Sequence, residues 1–262
     1  MSSVEDSPTT PGSTTKAGTR VALVTGAARR IGAETARQLH DAGFNLVLHY
    51  HQSTADAEAL CETLNQTRPQ SAITARADLC DLQEIKHLAE LATGQWRRVD
   101  ALINNASSFF PTPVGDIRES DWDNLLGTNL KAPLFLSQAL ASTLKQNRGC
   151  IINMADVHAE RPLSGHPVYC AAKAGNVMLT KSLAKELAPE VRVNGIAPGA
   201  ILWPEDDGEL SDESKQKIIK KIALKRTGEP NDIARTIRFL VTDAPYITGQ
   251  IIAVDGGRNL VS

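Results

Sequence analysis

About seven short apolar runs, each followed by a stretch of helical character, constrain this chain more than any other feature. The runs are Arg20–Thr25, Asn45–Tyr50, Ala72–Ala77, Val99–Ile103, Cys150–Met154, Val191–Ile196 and Ile251–Val254. Runs this short and this apolar read as strands buried on both faces. Helical patterns separate them, among them one ending near Ala42, Thr54–Asn65, one to about Trp96, Asn124–Asn147, and one that ends near Leu187 ahead of Pro189. Alternation with short connections predicts a single α/β fold, a Rossmann-like doubly wound parallel sheet of about seven strands with helices on both faces. In such a sheet a ligand lies outside the carboxyl ends of the strands.

Composition narrows the class. A net charge of −2 gives no general pull toward nucleic acid or an anionic membrane. No apolar run approaches the roughly 20 residues that span a bilayer. Cys61, Cys80, Cys150 and Cys170 show no C-x-x-C spacing and read as reduced, packed thiols of a cytoplasmic protein. Residues 1–18 are rich in Ser, Thr, Pro and Gly, and are expected to form a disordered tail before a domain over 19–262.

The strand ends carry the candidate site. Gly26 follows the first strand, and Arg29-Arg30-Ile31 opens a helix. Strand, glycine turn and helix start form a phosphate cradle, although Arg30 stands where a middle glycine is expected. Two arginines at a helix start oppose its dipole unless an anion compensates. After the second strand come Tyr50-His51-Gln52-Ser53, with none of the acids that hold the ribose diol of NAD. Arg29, Arg30, His51 and Ser53 suit a 2′-phosphate, so NADPH is the expected cofactor. Asp78, with Leu79, either contacts an adenine edge or caps the next helix. Asn105-Ala106-Ser107-Ser108-Phe109-Phe110 ends the fourth strand; Phe109 either offers a stacking surface or pins the loop to the core. Asn129 is a polar residue amid leucines. Pro198-Gly199 ends the sixth strand, and Trp203 opens an acidic stretch to Ser214 that reads as a mobile lid, its acids a solvated face rather than a metal site.

Tyr169 and Lys173 are four residues apart, one turn along one helix face. A nearby ammonium favours a phenolate, which would make Tyr169 an acid–base group near neutral pH. Asp156, just past the fifth strand, is a second acid–base candidate.

These residues resemble the short-chain dehydrogenase/reductase family. The matching features are Thr25-Gly26…Gly32, Asn104-Asn105-Ala106, Asn129, Tyr169-x-x-x-Lys173, Pro198-Gly199 and Asp255-Gly256-Gly257, over about residues 20–259. Three departures resemble its pteridine reductase branch: Arg30 for Gly, Ser107 for Gly, and Asp156 where the catalytic serine usually stands. The resemblance implies NADPH-dependent reduction of a pterin or dihydropterin (dihydrobiopterin, dihydrofolate or dihydromonapterin) to the tetrahydro form. It implies that Tyr169 and Asp156 supply protons, that Lys173 holds the nicotinamide ribose and acidifies Tyr169, and that Asn129 supports Lys173 through water. Phe109 would stack on the pterin; Arg30, Ser107 and Trp203 would line its site. Gln52, where some relatives carry Arg, weakens the 2′-phosphate grip. A homotetramer is implied as well. The alternatives are a short-chain carbonyl reductase acting on a ketone or 3-oxoacyl substrate, and a non-catalytic NADP-binding protein.

Overall fold

A computed structural model describes residues 18–201 and 211–260. The first half of the fold runs β1 (Val21–Val24), α1 (Arg30–Asp41), β2 (Asn45–Tyr50), α2 (Thr54–Thr67), β3 (Ala72–Arg76), α3 (Leu82–Trp96) and β4 (Ala101–Asn104). The second runs α4 (Glu119–Leu126), α5 (Ala132–Gln146), β5 (Cys150–Met154), α6 (Pro167–Glu186), β6 (Arg192–Pro198), α7 (Asp212–Lys220), α8 (Pro230–Thr242) and β7 (Ile251–Val254). The strands form one parallel sheet in the order β3-β2-β1-β4-β5-β6-β7, the doubly wound arrangement that the alternation predicts.

Period-two alternation within buried strands builds the two faces. Ala22 and Val24 of β1, with Ile103 and Ile152, pack against Leu39 of α1 and Ile237 of α8. Val21 and Leu23, with Leu102 and Ile151, pack against Leu88 of α3 and Leu136 of α5. The chain turns back at β1, which lies between β2 and β4. Connections that leave these neighbouring strands in opposite directions open a crevice at their carboxyl ends.

The helix expected over 124–147 is instead two helices joined by a wider π-turn, Gly127–Lys131. Pro133 explains the break. It has no N–H, and its ring crowds the carbonyl four residues earlier, that of Asn129. Widening by one residue relieves the contact. At Gly127 a Cβ would lie 2.8 Å from Cys80 Sγ, so this side of the turn admits only glycine without a shift. Of the expected tail over 1–18 and lid from Trp203 to Ser214, residues 1–17 and 202–210 lie outside the described residues; the end of the lid stretch is already α7, capped by Ser211.

Candidate active site

The cradle starts at Gly26, whose φ of +60° suits glycine. A Cβ at Gly32 would sit 2.0 Å from Gly26 O, so α1 closes directly onto the turn. Arg30 has φ +54°, the left-handed conformation that glycine adopts freely, which explains why a glycine was expected there. Arg29 is the extended N-cap of α1 and makes no side-chain cap, and no acid stands in the first turn. The helix therefore presents its N-terminal charge without compensation from its own side chains. Thr25 Oγ1 accepts from Asn105 N (2.9 Å) and Ala106 N (3.0 Å), and Asn105 Nδ2 donates to Thr25 O and Gly26 O. These bonds tie the end of β4 to the cradle.

His49 braces the cradle from β2. Gly26 N donates to its Nδ1 at 3.1 Å, and its Nε2 reaches Ala77 O at 3.0 Å. Burial pushes its pKa down to about 4, so the imidazole is neutral and carries its proton on Nε2. His49 belongs to the Leu48-His49-Tyr50-His51 segment that resembles the pteridine reductases, but its brace on Gly26 is a contact that only the fold brings about.

Beyond β2, His51 is exposed, and Ser53 stands at the N-cap of α2 with its hydroxyl making no cap bond. Arg29 Nε donates to Asp56 of α2 at 2.6 Å. Tyr50 is half-buried and does not line the cleft. Asp78 and Leu79 do line it. The cap of α3 is Asp81, which accepts from Gln83 N and Glu84 N; Asp78 instead accepts from Cys80 N at 2.8 Å.

All these elements open on one cleft of about 890 Å³ that also holds Ser107, Phe109, Asp156, Tyr169, Lys173 and Pro198-Gly199. Tyr169 Oη donates to Asp156 Oδ2 at 2.7 Å, and Asp156 Oδ1 accepts from His158 N at 2.8 Å. Lys173 Nζ donates to Met154 O at 2.8 Å and lies 5.6 Å from the Tyr169 ring centre. Burial pulls Lys173 down to about 8, with Asp156 opposing. Tyr169 moves up, chiefly by burial and then by the Asp156 charge. Burial and the Asp156 charge, rather than Lys173, dominate at Tyr169 and favour the protonated phenol, which donates to Asp156.

Phe109 is 50% exposed. It stacks on His166, with centroids 4.8 Å apart and planes at 12°, and meets Tyr169 edge-on at 4.8 Å. His166 does not line the cleft and occupies only one Phe109 face. Asn129 does not line the cleft either. Its Oδ1 accepts from Ser107 Oγ (2.7 Å) and its Nδ2 donates to Ser108 O and Leu125 O, both at 2.9 Å. Its side chain holds the loop after β4. Cys80, Thr128 and Ile201 line the cleft without any sequence signal to mark them. Trp203 lies outside the described residues.

A family model described as enoyl-(acyl carrier protein) reductase matches residues 26–259. The chain is 38% identical to Pteridine reductase 1 of Leishmania tarentolae, over 92% of this chain and 96% of that protein. It is also 38% identical to the 3-oxoacyl-acyl-carrier-protein reductase FabG of Staphylococcus aureus, over 91% of this chain and 98% of that protein. A 3-oxoacyl-acyl-carrier-protein reductase of Synechocystis is 37% identical, over 91% and 96%.

Proposed function

The chain belongs to the short-chain dehydrogenase/reductase family, and from that premise we propose that it reduces a pterin or dihydropterin to the tetrahydro form with NADPH. The observation that carries this reading is the Asp156 carboxylate 2.7 Å from Tyr169 Oη, where a ketone reductase of this family has a serine. Reducing a ketone needs donors to one oxygen. Reducing a ring C=N bond needs a proton delivered to nitrogen, and a carboxyl can relay it or accept the N–H groups of a pterin.

The residues present fit the cofactor. The uncapped start of α1 and the crowded Gly26–Gly32 contact suit a pyrophosphate. Arg29, His51 and Ser53 would hold a 2′-phosphate, and Lys173 would hold the nicotinamide ribose. Bound NADPH supplies a hydride. Tyr169 supplies a proton from its un-ionised phenol, oriented by Asp156. Asp156 handles the second proton through water. The half-exposed Phe109 ring would stack on the substrate, with Arg30 and Ser107 at its edge. Dihydrobiopterin, dihydrofolate and dihydromonapterin all fit these terms. A cytoplasmic homotetramer belongs to the same proposal; among the described residues, no helix is long and apolar enough to cross a membrane.

A second reading, reduction of a 3-oxoacyl thioester, is supported by the equal identity to FabG. NADPH oxidation with dihydrobiopterin, dihydrofolate and acetoacetyl thioester, on wild type and Asp156→Ser, separates the two. Pterin turnover that falls about 100-fold in the variant is expected. Thioester turnover alone, kept or raised in the variant, overturns the pterin reading.

A further inference from the structure

The Asn129 carbonyl cannot close its α-helical bond, because the residue four positions on is Pro133. Asn176, on the helix that carries Tyr169 and Lys173, meets it instead: its Nδ2 donates to Asn129 O at 2.9 Å. Both residues are 1% exposed. Asn176 is itself rooted in the sheet. Its carbonyl accepts from Thr180 Oγ1 (2.8 Å), which accepts from Asn153 Nδ2 of β5 (2.9 Å). Asn153 in turn accepts from Asn104 Nδ2 of β4 at 2.8 Å. On the far side, the Asn129 side chain grips Ser107 and Ser108, the residues just before Phe109. One unbroken line of hydrogen bonds thus joins the sheet centre, α6, the π-turn and the loop that bears Phe109. The Asn176 Oδ1 is buried without a partner among the described residues. An apolar residue would fill this space without burying that oxygen, so the useful part of the amide is its donor.

We propose that Asn176 is a positioning residue for the substrate: through Asn129 it sets the Ser107–Phe109 loop against Tyr169. The inference rests on the reading of that loop as the substrate platform.

Two variants test it. Asn176→Leu keeps the branched shape and removes the donor. Amide hydrogen exchange over residues 105–112 should speed up, substrate kcat/KM should fall about tenfold, NADPH Kd should hold near wild type, and Tm should fall by only a few degrees, the cost of one unpaired buried carbonyl. Asn176→Asp restores a donor only when protonated. Its turnover and loop protection, each as a ratio to wild type, should therefore rise as pH falls. Lys173 lies three residues earlier on α6, and a carboxylate at 176 also favours its charged form, so loop protection measured without cofactor is the deciding ratio. A space-filling role produces no such pH dependence. Unchanged loop exchange in Asn176→Leu, a flat ratio in Asn176→Asp, or loss of folding in both variants overturns the proposal. Absence of pterin turnover by wild type would instead count against the functional reading, and the exchange data would still decide the role of Asn176.

Discussion

Raising the pH through about 8 is expected to switch the free enzyme off, and Asp156→Asn is expected to move that limb to lower pH. Lys173 is 2% exposed, and burial holds it down at about 8. Asp156 is the group that opposes this shift. A base with that pKa is about 90% charged at pH 7 and about 10% charged at pH 9. If only the ammonium form holds cofactor, kcat/KM falls roughly tenfold over that range. Burial and Asp156 raise Tyr169, so its phenol does not titrate there. Removing the Asp156 charge leaves burial unopposed and lowers Lys173 further. The assay is kcat/KM for NADPH against pH, because this ratio reports the free enzyme. Stability runs the other way. An unfolded lysine titrates near about 10.4, so between about 8 and 10.4 the unfolded chain binds a proton that the folded chain does not. Stability therefore rises with pH across that window and is flat below it, where the burial penalty is fully present. A kcat/KM profile level to pH 10, or the same limb in wild type and Asp156→Asn, would refute the reasoning.

Tyr169→Phe removes the proton donor and is expected to lower kcat by about 100-fold or more while NADPH still binds; an unchanged kcat would remove Tyr169 from the chemistry. Gly32→Ala would put a Cβ 2.0 Å from a backbone oxygen, so calorimetry and cofactor titration should show a lower Tm and no NADPH binding. Arg29→Ala should weaken NADPH roughly tenfold, the size of one charge-assisted phosphate contact, and leave NADH alone; an equal change in both would place Arg29 away from the 2′-phosphate. Light scattering should find a tetramer, and a monomer would contradict the proposed assembly.

The strands and their succession along the chain were legible because their signals are local. A buried parallel strand is a short apolar run, and β2 and β7 begin and end where those runs do. The cradle was legible for the same reason: Gly26 supplies a positive φ at the turn, and Gly32 packs against the Gly26 carbonyl six residues earlier. Tyr169, Lys173 and Asp156 could be named from spacing, since strand ends in a doubly wound sheet converge. Their chemistry could not be read that way. Whether Lys173 acidifies Tyr169 depends on how deeply both are buried and where the Asp156 carboxylate lies, and packing makes burial the larger effect. The cap of α3 belonged to Asp81 rather than Asp78 by the placement of a single turn. Pro133 stood in the sequence as a cause of the π-turn, but its partner Asn176 is 47 residues from Asn129. His49 meets Gly26 across 23 residues. Local pattern thus determined which elements form and how they are ordered. Only the packing of those elements decided which buried polar groups meet, because hydrogen bonds between distant residues and the low dielectric around them exist only in the assembled fold.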